Sequence, residues 1–174
     1  TGVNSGASAA VAQSWLMRFL LDLAYLVACI LLSPWLVYRL CAPGRRDFAL
    51  RFGLGLRDPL PSCIWLHGSS AGEVSVLRPL VATLERDYPG TPLVISAFTA
   101  TGLATARKLY ARHRIVPLPV DLSFVVARFF RYLNPRLLVV AESEFWPNLL
   151  RLAHERGVPA PLVNGKMSAK SFGV

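Results

Sequence analysis

The stretch that decides the fold is an apolar run followed by small residues and a carboxylate, Cys63-Ile64-Trp65-Leu66-His67-Gly68-Ser69-Ser70-Ala71-Gly72-Glu73. The apolar run predicts a strand that is covered on both faces, as in a parallel sheet. The small residues predict a tight turn into a helix, where Gly68 and Gly72 allow close approaches that a Cβ would block. Free N–H groups at the start of that helix would face an anion, and Glu73 would lie beside them as a base.

Glu73 also has a second interpretation, as part of a helix cap. Ser70 and Glu73 have the spacing of a capping box, in which each side chain accepts a hydrogen bond from the other residue's backbone N–H. No Gly-Lys-Ser/Thr follows the turn, so it is not a Walker phosphate loop, and it lacks the Gly-x-Gly-x-x-Gly of a dinucleotide site. The base and the cap both remain open from the sequence.

Strand-like and helix-like segments alternate after residue 63. The predicted strands are Cys63–His67, Pro92–Phe98, Arg114–Val120, Arg136–Ala141 and Ala160–Val163. Five βα units in a row predict an open parallel α/β sheet with helices on both faces. Asp121, Ser123 and either Thr99 or Thr101 are the predicted helix caps. Pro79 conflicts with the pattern, since a proline inside a helix costs about 3 kcal/mol unless it lies in the first turn.

Three segments precede this array. Residues 1–13 are small and polar and are expected to be disordered. Residues 14–40 are mostly apolar and predict a membrane-anchor helix, in which Arg18 and Asp22 are spaced to pair. Residues 41–62 are rich in arginine, glycine and proline and predict a basic juxtamembrane connector. Because the basic residues follow the apolar run, a signal anchor with a cytoplasmic domain is favoured over a cleaved signal peptide, and an interfacial helix is the alternative.

The composition agrees with contact between this chain and an acidic or lipid partner. Hydrophobic residues make up 53% of the 174 residues and the net charge is +9, which suits anionic lipid or phosphorylated ligands. No basic patch interleaved with aromatic residues is present, so a nucleic-acid partner is not expected. The three cysteines, Cys29, Cys41 and Cys63, lack metal-ligand spacing and are expected to be reduced thiols.

Polar residues follow each predicted strand at its carboxyl end, where ligands gather in open parallel sheets. The five groups are 67–73, 99–102, Asp121, 142–148 and 164–168. Their carboxylates, hydroxyls and lysine suit group transfer to a sugar hydroxyl near a phosphate. Structural interpretations remain open for several of them. Glu142 and Glu144 would then be an exposed strand end and a helix cap, His67 would bond to backbone, and Lys166 would lie on a solvated turn.

Six motifs closely resemble those of the bacterial 3-deoxy-D-manno-octulosonic acid (Kdo) transferases, which add Kdo to a lipid A precursor. They are Leu-Leu-Ser-Pro-Trp-Leu (31–36), Trp-Leu-His-Gly-Ser-Ser-Ala-Gly-Glu (65–73), Phe-Thr-Ala-Thr-Gly (98–102), Leu-Pro-Val-Asp (118–121), Glu-Ser-Glu-Phe-Trp-Pro-Asn (142–148) and Asn-Gly-Lys-Met-Ser (164–168). The motifs occur in the order and at the spacing of that family.

This resemblance implies a GT-B glycosyltransferase with two Rossmann-like halves, anchored at the cytoplasmic face of the bacterial inner membrane. Residues 63–174 would be the N-terminal, acceptor-binding half. Glu73 matches the general base that takes the proton of the acceptor hydroxyl as it attacks the anomeric carbon of CMP-Kdo. Glu144, or Glu142, matches the acidic pair that supports the transition state. The reaction is expected to be inverting, with CMP-Kdo as the donor and with no metal or other cofactor.

The remaining substrate contacts are expected at Ser69, Ser70, Gly72, Thr101, Asn148, Asn164, Lys166 and Ser168. Lys166 stands where the family usually has arginine, so a bidentate phosphate contact is lost there. The chain starts at Thr1 rather than Met, and the donor-binding half does not follow Val174. It is therefore expected to be a fragment that does not complete the reaction alone. A different hypothesis is a non-catalytic, membrane-tethered module that binds acidic lipid or nucleotide.

Overall fold

The computed structural model describes the backbone of residues 4–34, 45–142 and 145–165, and the side chains of 15–34, 46–142 and 145–165. The helices are α1 (Asn4–Leu31), α2 (Arg45–Arg51), α3 (Ala71–Val76), α4 (Arg78–Asp87), α5 (Ala100–Leu109), α6 (Ser123–Leu133) and α7 (Pro147–Glu155). The strands are β1 (Cys63–His67), β2 (Leu93–Ala97), β3 (Arg114–Pro117), β4 (Pro135–Ala141) and β5 (Leu162–Val163).

The five strands form one parallel sheet in the order β3-β2-β1-β4-β5. Every residue of the central strand β1 is buried, because helices cover both faces of the sheet. Successive side chains point to opposite faces. Trp65 therefore packs against Phe129 of α6 on one face, while Leu66 packs with Val74 and Leu77 on the other. The predicted parallel α/β sheet is confirmed.

The strand bounds differ from the prediction where the backbone donors have other partners. β1 has the predicted bounds, but β3 ends at Pro117 instead of Val120. The N–H of Val120 donates to the carbonyl of Arg51 in α2 at 2.8 Å, and the intervening Pro119 has no N–H to give to the sheet. Long-range pairing and proline chemistry therefore shorten this strand.

Pro79 is accommodated because the predicted helix is divided in two. α3 ends at Val76, and Pro79 lies in the first turn of α4, where no backbone donor is lost. Gly68 is required as expected, since a Cβ there would lie 2.9 Å from the backbone nitrogen of Val74. The same expectation for Gly72 is wrong, because a Cβ would meet nothing nearer than 3.8 Å.

Helix α1 begins at Asn4, so residues 4–13, expected to be disordered, are helical. Alanine is frequent in this stretch and favours a helix. The expected Arg18–Asp22 pair does not form. Arg18 lies over the ring of Trp15, and the Asp22 carboxylate accepts hydrogen bonds from Ser123, whose backbone N–H is 2.9 Å away. An open helix N-terminus attracts a carboxylate, which explains the choice of partner.

Residues 14–40 were predicted to form a membrane-anchor helix, and residues 35–40 of this segment lie outside the described residues. Within the described parts of the chain, no helix combines the length and the apolar character needed to cross a membrane.

Part of the predicted connector folds onto the sheet. Asp47 of α2 pairs with Arg107 of α5 at 2.5 Å, and the Arg51 guanidinium donates to the carbonyls of Leu118, at 3.3 Å, and Phe98. Cys29 and Cys63 have free thiols, and Cys41 lies outside the described residues.

Candidate functional site

The candidate site lies where the order of the strands reverses. β1 is flanked by β2 on one side and by β4 on the other, and open parallel sheets bind ligands in the crevice at such a point, beyond the carboxyl ends of the strands. Glu73, in the first turn of α3, follows β1, and Glu142 directly follows β4. Because β1 and β4 are neighbours in the sheet, Glu73 and Glu142 follow the carboxyl ends of adjacent strands.

The Glu73 carboxylate is held in one orientation by the turn that precedes it. Its Oε2 accepts a hydrogen bond from the backbone N–H of Ser69 at 2.7 Å, and its Oε1 accepts from the hydroxyl of Ser70 at 2.9 Å. The Ser70 hydroxyl oxygen in turn accepts from the backbone N–H of Glu73 at 3.3 Å. Ser70 therefore caps α3 as predicted, but Glu73 accepts from the backbone N–H of Ser69 instead of that of Ser70, so only half of the predicted capping box forms. Each carboxylate oxygen still has lone-pair capacity, so the cap leaves room for a proton acceptor.

His67 is fully buried beneath this turn and positions Ser69. The Nδ1 of His67 lies 3.2 Å from the carbonyl of Ser96, and its Nε2 lies 3.3 Å from the Ser69 hydroxyl. Burial lowers the pKa of His67 to about 4, against the effect of its hydrogen bond to the Ser96 backbone. The imidazole is thus neutral at pH 7, so it acts as a hydrogen-bonding support for the turn. The Ser69 side chain is only 6% exposed, and its hydroxyl faces His67.

The end of β2 closes on the same turn. The Ser69 carbonyl accepts from the backbone N–H of Thr99 at 2.9 Å and from the Thr99 hydroxyl at 3.0 Å. Thr99 also caps α5 by accepting from the N–H of Gly102 at 3.0 Å. A Cβ on Gly102 would lie 2.8 Å from the Ser69 carbonyl oxygen, so a glycine is needed there. The hydroxyl of Thr101 lies 3.2 Å from that of Thr99 on the exposed edge.

Asp121 caps α7, and not the helix that directly follows it as predicted. Its carboxylate oxygens accept from the backbone N–H groups of Asn148 and Leu149, at 3.0 and 2.9 Å, and from the Tyr25 hydroxyl at 3.2 Å. Burial raises the pKa of the Asp121 carboxyl, and these hydrogen bonds act against that rise. Asn148 is fully buried, and its amide bonds to the Asp121 carbonyl and to Arg151. Its side chain therefore secures the start of α7.

The ends of β4 and β5 meet at Glu142. Its backbone N–H donates to the carbonyl of Val163 at 2.8 Å, and its Oε1 accepts from the side-chain amide of Asn164 at 3.3 Å. Both Glu142 and Asn164 have a positive φ, of 59° and 53°. Glu144, Lys166 and Ser168 lie outside the described residues.

Comparison with known proteins identifies the family. Residues 46–174 match the model of the 3-deoxy-D-manno-octulosonic-acid transferase (kdotransferase) family. The chain belongs to this family. It is 32% identical over 166 residues to the 3-deoxy-D-manno-octulosonic acid transferase of Chlamydia muridarum, covering 91% of this chain and 38% of that protein. It is 35% identical to the enzyme of the same name from Haemophilus influenzae over 130 residues, which is 73% of this chain and 30% of that protein.

A third kdotransferase, from Bordetella pertussis, is 37% identical over 142 residues, covering 78% of this chain and 32% of that protein. The chain thus spans well under half the length of the curated kdotransferases that it matches. The resemblance expected from the six motifs is confirmed at the level of the family.

The structure of this kdotransferase-family chain separates the predicted site residues into two groups. Ser70, Gly72, Glu73 and Thr101 lie at the accessible carboxyl edge, and Glu142 and Asn164 bond to each other at the adjacent strand ends. The hydroxyl of Ser69 and the amide of Asn148 are buried and have partners inside the protein. Among the described residues, no three His, Cys, Asp or Glu side chains are grouped as metal ligands.

Arg51, Phe98 and Trp146 also line this edge of the kdotransferase sheet, although none of them was among the predicted catalytic residues or substrate contacts. The Arg51 guanidinium lies 5.0 Å from the centre of the Phe98 ring, and that ring lies 5.2 Å from Trp146. Phe98 is 47% exposed beside the turn that holds Glu73. Arg51 is 47 residues from Phe98, so no local spacing indicates their contact.

Proposed function

We propose that this chain is the acceptor-binding half of a GT-B Kdo transferase that moves Kdo from CMP-Kdo to a lipid A precursor in lipopolysaccharide biosynthesis. The observation that carries the proposal is an oriented Glu73 carboxylate at the strand-reversal crevice of a kdotransferase-family sheet. By the family resemblance, the donor site would lie in the part of the longer relatives that this chain does not cover, since the chain spans 38% of the first of them. This chain alone would therefore bind the acceptor and would not transfer sugar.

In the proposed reaction, Glu73 accepts the proton of the acceptor hydroxyl while the oxygen attacks the anomeric carbon of Kdo. The new glycosidic bond forms as the bond to the phosphate of CMP breaks, so the configuration inverts and CMP leaves. Glu144, or Glu142, supports the charge of the transition state. The roles of these carboxylates and the independence from metals and other cofactors follow the family resemblance.

The two hydrogen bonds to Glu73 support its role as the base. A carboxylate fixed by the Ser69 N–H and the Ser70 hydroxyl keeps one orientation toward the crevice, and such positioning lowers the entropic part of a reaction barrier. Ser70, Gly72 and Thr101, with Asn164, Lys166 and Ser168, are the proposed contacts to the phosphorylated acceptor. Ser69 and Asn148 would act indirectly, by holding the turn and the start of α7.

We further propose a position at the bacterial inner membrane, with the sheet on the cytoplasmic side, as the family resemblance implies, and the exposed side chains of α1 are compatible with contact with a membrane. Trp15, Phe19, Ile30 and Leu31 are 61–76% exposed, and exposed apolar patches of this kind mark membrane or protein contacts. Asp22 and Tyr25 face the domain instead. This division suits a helix whose apolar side contacts lipid while its polar side contacts the protein. A membrane lipid and a lipid-linked acceptor would then share one surface.

Substitution of Glu73 in the complete enzyme tests the proposal. Glu73→Gln keeps the shape of the side chain but removes the base, and we expect the transfer rate to fall by about 10²–10⁴. Acceptor binding should change little. Asp87→Asn, at the exposed end of α4, is the matched control and should transfer Kdo at the normal rate. Normal turnover of Glu73→Gln with a loss of about 1 kcal/mol in unfolding free energy would mean that Glu73 is only a cap.

A further inference from the structure

A second concave site lies at the opposite end of α5 from the candidate site. It is a cavity of about 280 Å³ between α4 and the end of α5, with lining residues that include Arg78, Val81, Glu85, Lys108, Tyr110 and His113. α5 starts at the Thr99 cap beside the crevice and has ten residues, so its far end is about 15 Å away. The cavity is therefore separate from the Glu73 crevice.

The charges around this cavity do not balance. Glu85 is the one carboxylate among its lining residues, and it is 2.9 Å from the Nε2 of His113 and 3.6 Å from the guanidinium of Arg112. The side chains of Arg78 and Lys108 have no hydrogen bond or ion pair with any residue that the structure describes. Among the described residues, two cations thus line one concave surface without an ion-pair partner, and concave surfaces concentrate such fields.

The position of Arg78 is unfavourable for its own helix. Arg78 is the first residue of α4, whose first turn has no acidic residue. A cation at a helix N-terminus opposes the helix dipole, so helix stability does not explain it. Lys108 lies in the last turn of α5, where a positive charge interacts favourably with the helix dipole. An anion in the cavity would stabilise Arg78 and the start of α4 together.

The wall beside Arg78 is rigid. Tyr110 is 5% exposed, and its hydroxyl donates to the carbonyl of Val74 at 2.7 Å. Burial raises the pKa of Tyr110, and the nearby positive charge of Arg78 acts against that rise. The guanidinium is therefore close to a fixed aromatic wall, and Val81 closes the cavity from α4. Such a preformed wall reduces the ordering cost of binding.

We propose that this cavity binds a compact phosphate-bearing anion through Arg78 and Lys108. A guanidinium presents two parallel donors to phosphate oxygens, and an ammonium adds a second positive charge. The volume is close to the lower limit, about 300 Å³, of typical small-molecule sites, which suits a small ligand. The group belongs either to a soluble compound or to the headgroup of an anionic lipid. The site is independent of the proposed sugar transfer.

Titration of the 174-residue chain in neutral detergent with inorganic pyrophosphate tests this site. We expect saturable binding that weakens at least tenfold in both Arg78→Gln and Lys108→Gln. Arg86→Gln is the matched control, because it removes an arginine from the same helix whose partner is Asp87, 2.7 Å away. All three residues are exposed, so the variants should keep the thermal midpoint of the parent chain.

A vesicle experiment separates the two sources of phosphate. Binding is measured to phosphatidylcholine vesicles with and without phosphatidylglycerol. Loss of pyrophosphate binding in Arg78→Gln would assign a soluble ligand. If Arg78→Gln keeps its pyrophosphate binding but binds less to the vesicles that contain phosphatidylglycerol, and Arg86→Gln does not, the ligand is a lipid headgroup. If neither probe distinguishes Arg78→Gln and Lys108→Gln from Arg86→Gln, the proposal is wrong.

Discussion

The attachment of α1 to the domain depends on Asp22, and its removal gives the most specific structural prediction. The Asp22 carboxylate accepts hydrogen bonds from the backbone N–H and the hydroxyl of Ser123, the first residue of α6. Leu122, at the cap position of α6, provides no side-chain hydrogen bond. Asp22→Ala therefore leaves the start of α6 without its acceptor and removes one of the two side-chain hydrogen-bond links that the described residues of α1 make to the carboxyl edge. The other link is Tyr25.

The size of the effect follows from these contacts. Loss of a helix cap costs about 0.5–2 kcal/mol, and a hydrogen bond to a charged group contributes about 1.5–3 kcal/mol. Water can replace part of the loss, because Asp22 is only partly buried, so we expect Asp22→Ala to lower the unfolding free energy by about 2 kcal/mol. For a chain of this length, that corresponds to a fall of about 4–8 °C in Tm. Asp22→Asn keeps one acceptor oxygen and should lose about half as much.

Circular dichroism gives the Tm values, and amide hydrogen exchange locates the effect. Exchange should accelerate at the first residues of α6 and stay slow in β1. Asp87→Ala is the matched control, since the side chain of Asp87 bonds, among the described residues, to its exposed neighbour Arg86 alone and its loss should change stability by less than about 0.5 kcal/mol. If Asp22→Ala has the same Tm as Asp87→Ala and the first residues of α6 keep their slow amide exchange, then α1 is not attached through Asp22.

Two further predictions concern pH and the membrane. His67 has a folded-state pKa of about 4 against 6.5 for the free side chain, so the unfolded chain takes up a proton first and stability falls as the pH drops from about 6.5 to 4. We expect the unfolding free energy, measured by urea unfolding, to fall by about 3 kcal/mol over this pH range. An equally steep pH dependence in His67→Gln would contradict this expectation. The exposed apolar side of α1 predicts that the chain sediments with inner membranes and resists a high-salt wash. Release by salt alone would indicate electrostatic adsorption.

The sheet was predictable because its strands are specified by local patterns. The buried run 63–67 and its four successors are separated by helical periodicity, and a succession of βα units has few alternative topologies. The deviations come from contacts that no local pattern contains. β3 stops where Val120 turns its N–H to Arg51, 69 residues earlier in the chain. Asp22 meets Ser123 across 101 residues, so the spacing of Arg18 and Asp22 gave the wrong partner.

The placement of the candidate residues at one edge of the sheet was predictable, but the hydrogen-bond partners of each side chain were less so. The rule for strand ends gave Glu73 and Glu142, since it depends only on topology. Polarity alone does not distinguish a ligand contact from an internal hydrogen bond. Asn148 has the residue type of a ligand contact, yet its amide bonds to Asp121 and Arg151. The position of Arg51 at this edge was not predicted, because Arg51 lies in a segment that was expected to contact lipid.

The assignment of this chain to the acceptor side is tested most directly by comparing its affinities for the two substrates. The chain is titrated in detergent with a phosphorylated lipid A precursor and, separately, with CMP-Kdo, at two salt concentrations. We predict binding of the precursor, weakened in part by salt because exposed charges are screened beyond about 8 Å at physiological ionic strength. Burial of the lipid should leave a salt-insensitive remainder, and CMP-Kdo should not bind appreciably. Tight binding of CMP-Kdo without affinity for the precursor would contradict the assignment.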